Sequence, residues 1–254
     1  MAYIEKRIYA GRYLEIIQYP ERPKPSAARR GDRGNVTREV QEALNNRNAI
    51  KQLTWYMNAN FTSQDTFVTL THKDPDITEA DAKKDITKFI RRANHYCKKH
   101  GRPDFKYIYI TETTDLEVGI HHHMVCNSLS ADEINTLWGN GITESRHLRF
   151  KGNGLERLAR YFMKEQTAAV KDKTKCKKPR GWSRSQNLVK PRIVRRRLKD
   201  IRNPERPPNW KHYNVLAMSV TSDFYMGVYR HIQLEIKPQS ESSKHKEDIY
   251  EQTQ

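Results

Sequence analysis

Cysteine is scarce in this chain: Cys97, Cys126 and Cys176 make an odd three with no Cys-x-x-Cys pair. That excludes a disulfide framework and a zinc knuckle and points to a reducing, intracellular setting. Long apolar runs are missing as well, with nothing approaching the roughly 18 residues a membrane helix requires. The opening Met-Ala-Tyr-Ile-Glu-Lys-Arg has no apolar stretch of the signal-peptide kind, so neither a secreted nor a membrane-bound protein is expected. There is no internal repeat. Acidic residues are few: 30 Asp and Glu stand against 47 Lys and Arg.

What is present is positive charge, +17 overall with a pI of about 9.8 and a mean hydropathy of −0.95. Residues 151–211 hold 20 Lys and Arg against 5 Asp and Glu, a net +15 in a quarter of the chain. Basicity concentrated in this way calls for a polyanionic partner, nucleic acid above all. With 254 residues, 36% of them hydrophobic, the chain can bury the core of one large domain with irregular arms.

Periodicity predicts a short strand at 13–19, then a Pro-, Arg- and Gly-rich segment from Pro20 to Gly34 that cannot hold regular structure. A helix is expected from Thr37 to about Asn58, and the β-branched run Thr66-Phe-Val-Thr-Leu-Thr71 reads as a central strand. Thr78 with Asp81 resembles an N-cap with an acidic first turn, opening a helix that Gly101 and Pro103 end. Strands at 105–112 and 119–126 should pair antiparallel through an acidic hairpin. Ser130 and Glu133 form a capping box for a short helix ending near Trp138-Gly139, residues 141–150 are a strand candidate, and Gly154 starts a helix over 155–165. The segment 171–206 has no clear periodicity, and strands near 213–221 and 229–236 precede a polar tail. This order favours an α+β class, a central antiparallel sheet with flanking helices. The expected organisation is a strand and flexible basic arm at 1–35, a main domain at 36–236 that includes the basic segment 171–211, and a polar tail at 237–254.

The chemistry-bearing feature is His121-His122-His123 inside the apolar strand Gly119-Ile-His-His-His-Met-Val-Cys126. Side chains alternate along a strand, so His121 and His123 share a face and His122 takes the other. Two imidazoles on one face can chelate a divalent metal; taken alone, they read equally as a hydrogen-bonded structural pair. The outer pair is favoured over His122 acting with another group, because Ile120, His122 and Met124 share the more apolar face. The hairpin can bring Glu112, nine residues before His121, next to the imidazoles. Two His and one carboxylate leave open positions on Mn²⁺ or Mg²⁺ for phosphate oxygens. Glu112 also reads as a solvated strand-end carboxylate, and Asp115 and Glu117 are fallback ligands because register cannot be read to one residue.

On the later helix, Tyr161 and Lys164 lie about 60° apart on one side, while Leu155, Leu158, Ala159 and Phe162 form an apolar stripe on another. Tyr161 is thus free to face a site, where a nearby cation would favour the phenolate as a nucleophile toward phosphorus. His72 is read as a solvated strand end, His147, His212 and His231 as structural or surface groups, and Tyr96, Tyr107 and Tyr109 as packing residues.

Phe67-Val-Thr-Leu-Thr71, Gly119-Ile-His121-His122-His123, Trp138-Gly139 and Tyr161-Phe-Met-Lys164 resemble, in order, the motifs of rolling-circle replication initiators of the HUH endonuclease superfamily. The stretch Lys178-Pro-Arg-Gly-Trp-Ser-Arg-Ser-Gln-Asn-Leu-Val-Lys-Pro191 resembles the segment that follows the tyrosine helix in one-tyrosine phage and plasmid replication proteins, and the likeness spans roughly residues 40–235. It implies an HUH domain of the RRM or palm-like kind, with His121 and His123 as metal ligands, Tyr161 as nucleophile and Lys164 as assisting cation. It also implies nicking of one DNA strand at an origin, a 5′-phosphotyrosine link, and a 3′ hydroxyl that primes a host polymerase.

The family's middle position is usually hydrophobic, and here it is His122. No Gly-x-x-x-x-Gly-Lys-Ser/Thr loop is present, so a host helicase is an expected partner, and the expected compartment is the cytoplasm of a prokaryotic or phage-infected cell. Candidate contacts to single-stranded DNA or an origin hairpin are Arg157, Arg180, Trp182, Arg184, Lys190, Arg195, Arg196 and Arg197. Trp182 reads equally as a base-stacking ring or a loop anchor, and the Arg195–Arg197 run equally as a phosphate contact or an exposed basic turn. The rival readings are a noncatalytic nucleic-acid-binding protein on the same scaffold and a transposase or relaxase acting on another DNA end.

Overall fold

The computed structural model describes residues 2–21, 38–113, 119–170, 181–207, 209–223 and 227–237. The elements are β1 (Tyr3–Ala10), β2 (Tyr13–Pro20), α1 (Arg38–Asn60), β3 (Thr66–Thr71), α2 (Glu79–Lys99), β4 (Tyr107–Thr113), β5 (Ile120–Cys126), α3 (Ala131–Trp138), β6 (Thr143–His147), α4 (Glu156–Val170), β7 (Ser183–Arg184), β8 (Arg192–Leu198), β9 (Tyr213–Asp223) and β10 (Gly227–Ile236). They form two five-stranded sheets, β6-β3-β5-β4-β7 and β8-β1-β2-β10-β9, with every strand pair antiparallel. The α+β class read from the sequence is therefore the observed one, with two sheets in place of one.

The first sheet is covered on both faces. Behind it, Ala82, Ile86, Phe89, Ala93 and Cys97 form the buried stripe of α2, which packs with Ile134 and Trp138 of α3 against Val68, Leu70, Met124 and Cys126. In front, Leu53 and Met57 of α1 and Ala159 and Phe162 of α4 pack on Ile108, Ile110 and Val125. This double cover explains why all seven residues of β5 are buried and why its sequence shows no polar alternation. The expected caps form: Thr78 accepts from the Asp81 N–H, and Ser130 and Glu133 make a reciprocal capping box.

Asn58, buried near the end of α1, positions the tyrosine helix. Its Oδ1 accepts from the Leu155 N–H at 2.9 Å and its Nδ2 donates to the Asn153 carbonyl at 3.2 Å. Gly154 is required between them: φ is +70°, and a Cβ there would overlap the Asn58 amide. The β1–β2 hairpin uses Gly11 for the same two reasons, a φ of +60° and a close approach to the Asn58 carbonyl.

The second sheet rests on α1 through a buried polar cluster. Glu15 of β2 accepts from Trp55 of α1, lies 3.2 Å from Lys51, and meets His231 of β10 at 2.6 Å. Two of its strands depart from the sequence reading. β1 alternates Tyr3 and Ile8 with buried Glu5, so its polar residues hide the apolar period, and β8, in the segment that looks aperiodic, has six of its seven residues exposed and hence no core-facing stripe. The Pro-rich arm at 22–34 and the acidic hairpin residues 114–118, including Asp115 and Glu117, lie outside the described residues.

Candidate active site

Antiparallel register turns three strands into a grid on the front face of the first sheet. Thr71, His121 and Glu112 stand in one cross-strand row, and Thr69, His123 and Ile110 in the next. Within each row a threonine braces a histidine: Thr71 Oγ1 lies 3.0 Å from His121 Nδ1, and Thr69 Oγ1 lies 3.1 Å from His123 Nδ1. Each hydroxyl orients its ring and leaves Nε2 for the cleft. His123 Nε2 lies 2.8 Å from Glu112 Oε2, whereas the buried His121 Nε2 has no hydrogen-bond partner.

The anchoring of α4 by Asn58 brings Tyr161 over this grid. Its hydroxyl is 3.3 Å from His123 Nε2, and its ring stands edge-on to His123, centroids 5.3 Å apart, and to Phe67 at 6.3 Å. Tyr161 is 38% exposed, the least covered member of the group, so its hydroxyl is open to a large substrate. Phe67, Thr69, Glu112, His121, His123, Glu144, Arg146, Leu158 and Tyr161 line a cleft of about 540 Å³. Glu112 is tucked against His123 with 19% of its side chain exposed and is not a solvated strand end.

His122 faces away from the cleft, fully buried behind the sheet. Its Nδ1 lies 2.9 Å from Thr111 Oγ1 and its Nε2 3.1 Å from His72 Nε2, with Trp138 edge-on to both rings. Burial, and then the neighbouring His72, push the His122 pKa down to about 3, so the ring is neutral. His72 is buried too, in contrast to the solvated strand end read from the sequence, and burial lowers its pKa against the pull of Asp85.

The other sequence candidates are dispersed. Arg157 is exposed on α4, one turn before Tyr161, and Lys164 lies on the same helix with its side chain outside the described atoms. Arg180 lies outside the described residues. Half-buried Trp182 packs on Tyr56, and Arg184 lies over both rings. Lys190 is exposed. Arg195, Arg196 and Arg197 sit on β8, in the second sheet, away from the cleft. Thr69, Thr71, Arg146 and Asn58 escaped the sequence reading. The threonines carried a signal, since an antiparallel partner sets every second residue of the Thr66–Thr71 strand beside the outer histidines.

The donor set fits a divalent cation. Two imidazoles with braced Nδ1 atoms, one of them with an unpartnered buried Nε2, and one carboxylate form a three-donor face that leaves ligand positions open. Among the described residues no three His, Cys, Asp or Glu side chains form a finished cage; His123 and Glu112 instead bond to each other.

Residues 65–168 match the family model of the Replication-associated protein, ORF2 type. The match runs from β3 into α4 and takes in Glu112, the histidine strand and Tyr161, so the recognition of a Rep-type replication initiator rests on the same elements that build the cleft. No curated protein and no solved structure matches. Within this replication-associated segment, β3, β5 and β4 supply the floor of the cleft and α4 its tyrosine; β1, β2, α1 and β7 to β10 lie outside the matched residues.

Proposed function

We propose that this replication-associated protein is a single-tyrosine, metal-dependent DNA nicking and joining enzyme of the HUH type that initiates rolling-circle replication of a phage, plasmid or integrated element. The observation that carries the reading is the Tyr161 hydroxyl, 3.3 Å from His123 Nε2 in a cleft shared with His121 and Glu112. The Tyr161 oxygen attacks the scissile phosphorus of a single strand, and the bond from phosphorus to the 3′ oxygen breaks. The phenol gives up its proton and the departing 3′ oxygen takes one up. A phosphotyrosine ester and a free 3′ hydroxyl remain, and attack by a 3′ hydroxyl on that ester reverses the step, because one phosphodiester bond has been exchanged for another.

Phe67 and His123 hold the phenol ring edge-on and restrict its approach. Arg157 is a candidate phosphate contact beside it, and Lys164 is the assisting cation assigned by the sequence resemblance. His121, His123 and Glu112 are the residues that would hold Mn²⁺ or Mg²⁺, which when bound polarises the phosphate and stabilises charge on the leaving oxygen. Replication in the cytoplasm of a host that supplies helicase and polymerase completes the reading.

The test incubates wild type and Tyr161→Phe with a labelled pool of single-stranded DNA, with Mn²⁺ or with chelator, and scores adducts on a denaturing gel. An adduct that requires both Tyr161 and metal is the expected result. DNA binding without an adduct across a diverse pool would replace this reading with that of a noncatalytic binding protein.

A further inference from the structure

The cleft and the family match account for the first sheet and leave the second without a task. Its edge strand β8 carries Arg192, Arg195, Arg196 and Arg197, and antiparallel register sets Arg195 directly opposite Lys6 of β1. Like charges directly opposed across a ladder destabilise a sheet. A third cation, Lys51 of α1, approaches the same face, where the Lys6 ammonium lies 5.2 Å from the centroid of the Trp55 ring, one helical turn from Lys51. The carboxylate of this cluster, Glu15, is buried and already engaged by Lys51, Trp55 and His231. Arg196 and Arg197 reach Glu5 and Glu21 at 2.7 and 2.6 Å, whereas among the described residues Arg195 has no carboxylate. Burial, followed by Arg195 and Lys51, lowers the Lys6 pKa, the effect expected where cations converge without compensating charge.

We propose that the face formed by β1, β8 and α1, centred on Lys6, Arg195 and Lys51 with Arg197 one row away, docks the phosphate backbone of duplex DNA. A duplex fits better than a single strand because the neighbouring rings are already covered by cations: Trp55 by Lys6, Tyr9 by Arg192 and Trp210 by Arg7. The face therefore offers charge and no open ring for an unpaired base. Helix α1 links the two regions, with Leu53 and Met57 in the core beneath the cleft and Lys51 and Trp55 turned to the second sheet. About one helix diameter, roughly 10 Å, separates the two faces, so duplex DNA held here would lie close to a strand entering the cleft. The inference rests on the DNA-binding part of the proposed function and is independent of the nicking step.

The test measures affinity of the full chain for a labelled 20-base-pair duplex by fluorescence anisotropy at several NaCl concentrations. Each phosphate contact contributes about 0.9 to the slope of log K against log salt, so Lys6→Gln/Arg195→Gln should flatten that slope by about 1.8 and Arg195→Gln alone by about 0.9. Thermal stability of the double variant should not fall, since a like-charged pair has been removed. Adduct formation on a short single strand should be unchanged, while Tyr161→Phe should lose the adduct and keep the duplex salt slope, which separates failure of this inference from failure of the nicking reading. An unchanged slope, or an equal change in the α2 control Lys84→Gln/Lys88→Gln, would overturn the proposal and leave the arginines as guards of an exposed sheet edge.

Discussion

Thr71→Val keeps the shape and β-branch of the side chain and removes one hydroxyl. That hydroxyl, 3.0 Å from Nδ1, is the one hydrogen bond made by the His121 ring, whose buried Nε2 has no partner. Leaving a buried polar nitrogen unsatisfied costs about 1–3 kcal/mol, and loss of such an orienting partner weakens metal binding by roughly 10- to 100-fold. Thr69→Val deletes the corresponding contact to His123, a ring also held by Glu112 at 2.8 Å and close to the Tyr161 hydroxyl at 3.3 Å. Its effect should be several-fold smaller. Calorimetric titration of each variant with Mn²⁺, alongside melting of the metal-free proteins, reads both quantities. Wild-type Mn²⁺ affinity in Thr71→Val, or a larger loss in Thr69→Val, would refute the claim that these hydroxyls aim the imidazoles.

Asn58→Ala removes both bonds that fix the start of α4 and should cost about 2–4 kcal/mol, read as a lower denaturation midpoint and a larger fractional loss of adduct than of DNA binding. The His122 pKa, about 3 in the folded protein against an ordinary 6.5, means that the unfolded chain binds a proton the folded one refuses. The stability from keeping this ring neutral is complete above pH 6.5 and is lost as pH falls toward 3; denaturant titrations across that window should give a shallower decline for His122→Leu. Burial opposes ionisation of Glu133, but the Ser130 N–H, Arg102 and Tyr96 outweigh it and hold the carboxyl at about 2. Its contribution is present above about pH 4.5 and is lost toward pH 2, so Glu133→Gln should be less stable than wild type at pH 7 and equal to it near pH 2.

The first sheet was legible because its signals are local. The β-branched run of β3, the capping box at Ser130 and the apolar frame of the histidine strand each declare an element within a few residues. The hairpin between β4 and β5 made Glu112 a candidate from chain distance alone, and register then sets it opposite His121. The second sheet was half hidden. Glu5, Glu15 and Gln18 are buried in β1 and β2, which breaks the apolar alternation, and β8 exposes nearly every side chain. Asn58 was out of reach for another reason: it acts on Asn153 and Leu155, far along the chain, and nothing around it announces that contact. His72 misled because the end of a strand reads as solvent, whereas Trp138 and His122 cover it.

The central claim is that Tyr161 becomes the point of attachment to DNA. It is tested most directly by digesting the adduct formed with Mn²⁺ and single-stranded DNA and locating the nucleotide-bearing residue by mass spectrometry. The account predicts a 5′-phosphonucleotide on Tyr161 in the peptide that contains Phe162 and Met163. A nucleotide attached to another residue, or cleavage that leaves the protein unmodified while Tyr161→Phe retains full activity, would contradict it.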